Sequence, residues 1–170
     1  MKTKNVIKCL VLILFLNGIS AQEKLSFALY QDAKLLIVGD GYYNPGTINF
    51  VSRLKMQGKQ DRLGYTIVFP EFEYADIDGN YKRFSVNAGY VFNKFSIKAI
   101  EASLQIGYGW IDRFGKSTFS ASGCGELAYK VLNSLKLSFL AQFTHRTDLK
   151  LWYNDDVVRF SGFFGIEYSF

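Results

Sequence analysis

Beyond residue 22, apolar and polar side chains take turns in segment after segment, and no stretch longer than about ten residues keeps the 3.6 spacing of a helix. Val158, Phe160, Gly162, Phe164, Ile166, Tyr168 and Phe170 share one parity, and Arg159, Ser161, Phe163, Gly165, Glu167 and Ser169, mostly polar, share the other. Leu135, Leu137, Phe139, Ala141 and Phe143 alternate in the same way with Lys136, Ser138, Leu140, Gln142 and Thr144. So do Ile100, Ala102, Leu104, Ile106, Tyr108 and Trp110 with Glu101, Ser103, Gln105, Gly107 and Gly109. Successive side chains of a strand point to opposite faces, so each segment reads as a strand with one apolar and one polar face.

Breakers divide this pattern into eight strands, at 25–38, 47–57, 64–74, 81–92, 95–110, 118–131, 135–146 and 157–170. The phase is uneven from Gln31 to Lys34, and Pro70, which has no ladder donor, predicts a bulge or a strand end. Asn93-Lys94 and Leu132-Asn133-Ser134 read as tight turns and 58–63 as a modest one, whereas 39–46, 75–80, 111–117 and 147–156 read as longer loops. With both chain ends on one side, the short connections fall there and the long loops opposite. The expected fold is all-β: one domain over residues 22–170 forming an eight-stranded antiparallel up-and-down barrel.

The preceding segment has another character. Met1 to Lys8 is positively charged, Cys9 to Leu16 is an unbroken apolar run, and Asn17-Gly18-Ile19-Ser20-Ala21 is small or polar and ends in Ala. This is the layout of a secretory signal peptide, 1–21, with cleavage expected after Ala21. Its apolar run is about half the ~20 residues a membrane-spanning helix needs. Removal takes Cys9 away, which leaves Cys124 as a lone, space-filling thiol and excludes an intramolecular disulfide. It also takes Lys2, Lys4 and Lys8, so the formal charge of +5 falls to +2 with no basic stripe of the kind nucleic acid requires. With 49% apolar and 17% aromatic residues, the chain has ample material for a packed fold.

Alternation alone does not say which face is wet, but three features do. Strands of ~10 residues at ~3.3 Å rise and ~40° tilt cover ~25 Å, the apolar height of a membrane barrel. The polar face is rich in small groups (Ser85, Ser103, Ser120, Ser122, Ser138, Ser161, Ser169), as the narrow interior of eight strands requires. Aromatics fall near strand ends, among them Tyr65, Tyr74, Tyr81, Phe92, Phe95, Trp110, Trp152, Tyr153, Tyr168 and Phe170, in the manner of interfacial girdles. The closing run Phe164, Ile166, Tyr168, Phe170 resembles the last strand of small bacterial outer-membrane barrels of the OmpA and OmpX type. That resemblance implies a Gram-negative outer-membrane location, contact with outer-membrane lipid, and recognition of Phe170 by the barrel assembly machinery. The alternative, a soluble lipocalin-like carrier of apolar ligands, demands an apolar cavity and a polar exterior.

An eight-stranded interior is filled by side chains, so no diffusion pore is expected. Glu101, Glu126 and Glu167 share inward parity with Lys130, Lys136 and Arg159, which predicts a lumenal ion-pair network that plugs the barrel. His145, the single histidine, is the one catalytic candidate, as a base acting with Thr147 or Ser161. The pattern resembles outer-membrane enzymes that deacylate or acylate lipid A, which implies a lipid-modifying hydrolase or acyltransferase using His145 as the alternative function; such deacylases carry Ser where this chain has Thr147, so no enzymatic machinery is assigned. Asp76-Ile77-Asp78-Gly79-Asn80 reads as a turn and not a calcium loop, because Gly79 comes too early and the closing Glu is missing. No metal or cofactor is expected. Tyr42, Tyr43, Phe114, Trp152 and Tyr153 in the longer loops have two readings, a crown that binds an extracellular protein or glycan, or an anchor at the outer-leaflet boundary.

Overall fold

The structure, a computed structural model, describes residues 24–39, 45–77, 80–95 and 97–170. The expected signal peptide at 1–21, the aromatic pair Tyr42 and Tyr43, and part of the turn from Asp76 to Asn80 lie outside the described residues.

Eight strands follow one another: β1 (Lys24–Asp32), β2 (Asn49–Gln60), β3 (Gly64–Ala75), β4 (Tyr81–Phe92), β5 (Ile100–Arg113), β6 (Lys116–Lys130), β7 (Leu135–Arg146) and β8 (Val158–Ser169). Among the described residues two short helices, α1 (Ala33–Ile37) and α2 (Thr147–Tyr153), interrupt the connections after β1 and β7. Every strand pairs antiparallel with its sequence neighbours, and β1 pairs with β8, so the sheet closes into a barrel with no edge strand. The closing seam runs from Ser26 opposite Ser169 to Asp32 opposite Phe163.

The strands differ from expectation at their ends. The first stops at Asp32 instead of running to 38, because the Asp32 carboxylate accepts the Leu35 N–H at 2.9 Å and caps α1. Strand β3 passes through Pro70 without a bulge. Pro70 stands opposite Val86 in unbroken register, and its missing donor leaves a gap in the ladder to β2 between the pairs Arg53–Glu71 and Met56–Val68. The register shift in that ladder falls instead between Gln57 and Gln60.

Two connections also differ. The turn expected at Asn93-Lys94 extends over 93–99, where Ile100 N donates to Ile97 O at 3.1 Å. The loop expected at 111–117 is replaced by continued pairing up to Arg113 opposite Lys116, closed by a two-residue turn at Phe114 and Gly115, with φ of 50° and 71°. Connections at the rim of Lys24 and Phe170 therefore cover 61–63, 93–99 and 131–134, and those at the far rim cover 33–48, 76–80, 114–115 and 147–157. Long and short loops do not divide cleanly between the two ends.

The facing matches the alternation. Leu104, Ile106, Tyr108, Leu127, Phe143, Phe160 and Phe164 point outward and are exposed, Ile106 at 73% and Phe164 at 61%. Arg53, Arg83, Ser85, Asn87, Gln105, Ser120 and Gln142 are buried inside with Phe69, Leu140 and Phe163. This is an inside-out protein, opposite to a lipocalin with its apolar cavity, and the soluble-carrier alternative is set aside on that ground.

Glycines on the two sides of the wall have different jobs. A Cβ at Gly109 would lie 1.9 Å from the Phe84 carbonyl oxygen on β4, a backbone atom that cannot yield without parting the strands. A Cβ at outward Gly123 would meet nothing within 4 Å. Gly109→Ala is expected to lower the urea midpoint of unfolding by the equivalent of about 1–3 kcal/mol, the usual cost of overpacking, and Gly123→Ala to leave it unchanged.

Candidate functional site

The lumen holds a continuous array of ion pairs. Near the far half, Glu71 accepts from Arg53 Nε at 2.6 Å through one oxygen and from Arg83 Nη1 at 2.5 Å through the other. Arg83 also donates to Ser120 Oγ at 2.8 Å and Ser122 Oγ at 2.7 Å, and it lies 3.6 Å from Glu73. Nearer the chain ends, Lys55 donates to Glu126 at 2.8 Å and to Glu167 at 2.6 Å. Lys136 bridges Glu167 at 2.9 Å and Glu101 at 2.8 Å, and Lys130 closes the array at the rim with a 2.9 Å pair to Glu101.

Arg53 joins the two halves. It reaches Glu71 on one side, and on the other it donates to Gln105 Oε1 at 3.0 Å and lies 3.6 Å from Glu126. Spare carboxylate valences are filled by neutral donors: Tyr30 to Glu126 at 2.7 Å, Tyr65 to Glu101 at 3.2 Å and Tyr81 to Glu73 at 3.3 Å. Five glutamates thus face five cations (Arg53, Lys55, Arg83, Lys130 and Lys136). Such balance is required where a lone charge would be strongly destabilising.

Of the residues expected in this network, Glu101, Glu126, Glu167, Lys136 and rim-side Lys130 are brought together. Arg159 is not. Its inward parity holds, but it stands at the far mouth and pairs with Asp155, four residues before it. Arg53, Lys55, Glu71, Glu73 and Arg83 were missed by sequence reasoning, although their parity was readable. Arg53 and Lys55 alternate with Phe50, Ser52, Leu54 and Met56. Tyr65 and Tyr81, expected among the outward aromatics, point inward for the same reason, since they share parity with Glu71 and Arg83.

Two cavities flank the network, and no residue lines both. One of about 30 Å³ lies at the chain-end side between Lys55, Glu101 and Ser169. The other, about 660 Å³, is an open cup at the far mouth among Asp32, Asn49, Glu73, Arg146, Tyr153 and Arg159. Arg113 and Tyr153 line the cup with Arg113 4.8 Å over the Tyr153 ring, Arg113 also lies 5.6 Å over Phe114, and Phe114 touches Trp152 with ring centroids 5.1 Å apart, so three members of the expected aromatic crown do gather.

His145 does not form a catalytic constellation. It stands opposite Val158 with outward parity and packs on Phe119 at 6.0 Å between centroids. Thr147 Oγ1 donates to the Phe119 carbonyl at 2.5 Å, and Ser161 lines the cup on the other face of the wall. Cys124 is buried, 3.8 Å from an Arg53 nitrogen. Among the described residues no group of three His, Cys, Asp or Glu is placed to hold a metal, and no helix is long and apolar enough to cross a membrane.

No family model matches the chain, and no curated protein is similar to it. Solved structures are. A de novo designed transmembrane β-barrel aligns with TM-score 0.54 at 11% identity over 88% of this chain and 97% of its own. The outer membrane protein Ail of Yersinia pestis, in a phospholipid nanodisc, aligns with TM-score 0.52 at 19% identity over 86% of this chain and 99% of its own. The chain has the fold of a small transmembrane β-barrel. Neisserial surface protein A aligns at TM-score 0.46 and 10% identity over 86% of this chain and 95% of its own. At these identities the likeness concerns architecture alone, and the role must be argued from the barrel's own surfaces.

Proposed function

We propose that the chain is an integral protein of a bacterial outer membrane, exported by a signal peptide cleaved after Ala21, with a lumen plugged by charge and a far rim that makes surface contacts. One observation carries this reading: an apolar outer wall encloses a charge-balanced network whose members Arg53 and Glu71 are fully out of solvent. A water-soluble barrel would gain nothing from that arrangement, whereas in lipid both faces are satisfied. Outward aromatics support it. Phe72 and Phe84 pack at 4.8 Å and Phe84 on Trp110 at 5.9 Å toward the far rim, and Tyr90 with Phe92 and Tyr168 with Phe170 pair at the other. Two such bands are what interfacial girdles require.

Phe114, Trp152 and Tyr153 would be the surface contacts, either toward an extracellular protein or glycan or toward the outer-leaflet boundary. Phe170 would be the handle for the assembly machinery. Fractionated envelopes should contain the protein in the outer membrane, with a mobility on denaturing gels that changes on boiling. In planar bilayers the purified barrel is expected to give no steady open-channel current. Recovery in the soluble fraction would sink the membrane assignment, and sustained conductance of a large pore would sink the plug.

A further inference from the structure

At the rim of Lys24 and Phe170, the 61–63 and 93–99 connections are stitched together. Gln60 Nε2 donates to Asn93 Oδ1 at 3.2 Å, Asn93 Nδ2 donates back to Gln60 Oε1 at 3.1 Å, and Asn93 N donates to Leu63 O at 3.4 Å. The joined turns and the end of β2 present Lys59, Arg62, Lys94 and Lys98, all exposed and none in a salt bridge with a described acid. Their one described acid, Asp61, is exposed but engaged by its own loop and by the outward Tyr90. Its Oδ1 accepts from Tyr90 OH at 2.5 Å, Leu63 N at 2.8 Å and Gly64 N at 3.0 Å, bonds that hold the carboxyl below the usual carboxylate range. Between the cations, Leu63, Phe95 and Ile97 are exposed.

The far rim is different. There Arg113 and Arg146 share Asp148, Arg159 pairs with Asp155, and Asp76, Asp112 and Asp156 stand among the lysines. Four cations against one engaged carboxylate, interleaved with three apolar side chains and continuous with the outward Tyr90 and Phe92, form a surface found, among the described residues, at only one end of the barrel.

We propose that this plate docks anionic phospholipid in the leaflet on the chain-end side. Lys59, Arg62, Lys94 and Lys98 hold headgroup phosphates while Leu63, Phe95 and Ile97 enter the acyl boundary. The inference rests on the membrane-barrel reading. Charge complementarity at a fixed height supports it: the plate sits where the apolar wall ends and headgroups would begin, and bases at such a surface each contribute attraction that salt screens.

The test uses the whole barrel in phosphatidylcholine nanodiscs containing about 30 mol % phosphatidylglycerol, an anionic surface of the kind that draws basic segments. Spin-labelled versions of the two lipids report which one the protein retains. Phosphatidylglycerol should be retained about fivefold over phosphatidylcholine, the weight of roughly one fully engaged base. The preference should disappear in K59Q/R62Q/K94Q/K98Q and at about 0.5 M salt, and survive in the far-rim control K82Q/K150Q. Equal retention of both lipids by the parent, a preference that outlives the plate variant, or equal loss in the control would each overturn the proposal. So would binding of soluble polyglutamate without lipid selectivity, which would point to an acidic protein partner. Loss of the boiling-dependent gel shift in the parent would instead remove the barrel reading beneath it.

Discussion

Replacing Arg53 with Met is expected to cost the barrel about 3–5 kcal/mol of unfolding free energy, read from urea titrations in lipid vesicles. Met fills much of the same volume, so the loss is electrostatic. Glu71 keeps Arg83, and Glu126 keeps Lys55, but Gln105 loses its donor and the lumen is left with one more carboxylate than cation. Removing one member of a buried pair is costly because the survivor remains charged and unsolvated. The double variant Arg53→Met with Glu71→Gln, which restores the balance, should lie closer to the parent than the two single losses together imply. A cost below about 1 kcal/mol for Arg53→Met would mean that water screens the lumen and that the pairs behave as surface salt bridges do.

The second large effect concerns the outer wall. Ile106, at mid-height on β5, and Ile37, in α1 at the far rim, are equally exposed at 73%. If accessibility alone mattered, arginine would be tolerated alike at both. In a bilayer, Ile106→Arg should cost about 2–4 kcal/mol and Ile37→Arg no more than about 1, because the penalty for a lipid-facing charge is greatest at the midplane and fades toward the interfaces. Equal costs at the two sites would contradict a membrane around the strands.

How much of this was legible beforehand depends on the range of the interaction. Strand number and facing follow from period two, a local property, and each of the eight strands overlaps the segment that alternation marked, although the first ends six residues early and the fifth begins five residues late. Ends were harder. Ala33-Lys34-Leu35-Leu36-Ile37 looks like more strand, and only the capping side chain of Asp32 turns it into a helix. Asp112, Arg113, Lys116 and Ser117 look like loop by polarity, yet they pair across a tight turn in which Gly115 favours positive φ and Phe114 adopts it against its steric preference. Parity could have placed Arg53 and Glu71 inside, but no local signal says that Lys55 will meet Glu167, 112 residues away. Partners in the lumen are chosen by closure of the whole cylinder. His145 shows the reverse limit, since its proximity to Thr147 and Ser161 along the chain hid the fact that Ser161 lies across the wall from it.

The pairing of β1 with β8 has a consequence for how the molecule is made. An open sheet can be extended one strand at a time, each addition leaving a wettable border, but in hydrocarbon a border of bare amides and carbonyls has nowhere to turn. Strand β8 must therefore find β1 before, or while, the wall enters lipid. Until then both unfinished margins carry unpaired amides and carbonyls, so closing the seam and entering lipid are expected to be one event rather than two.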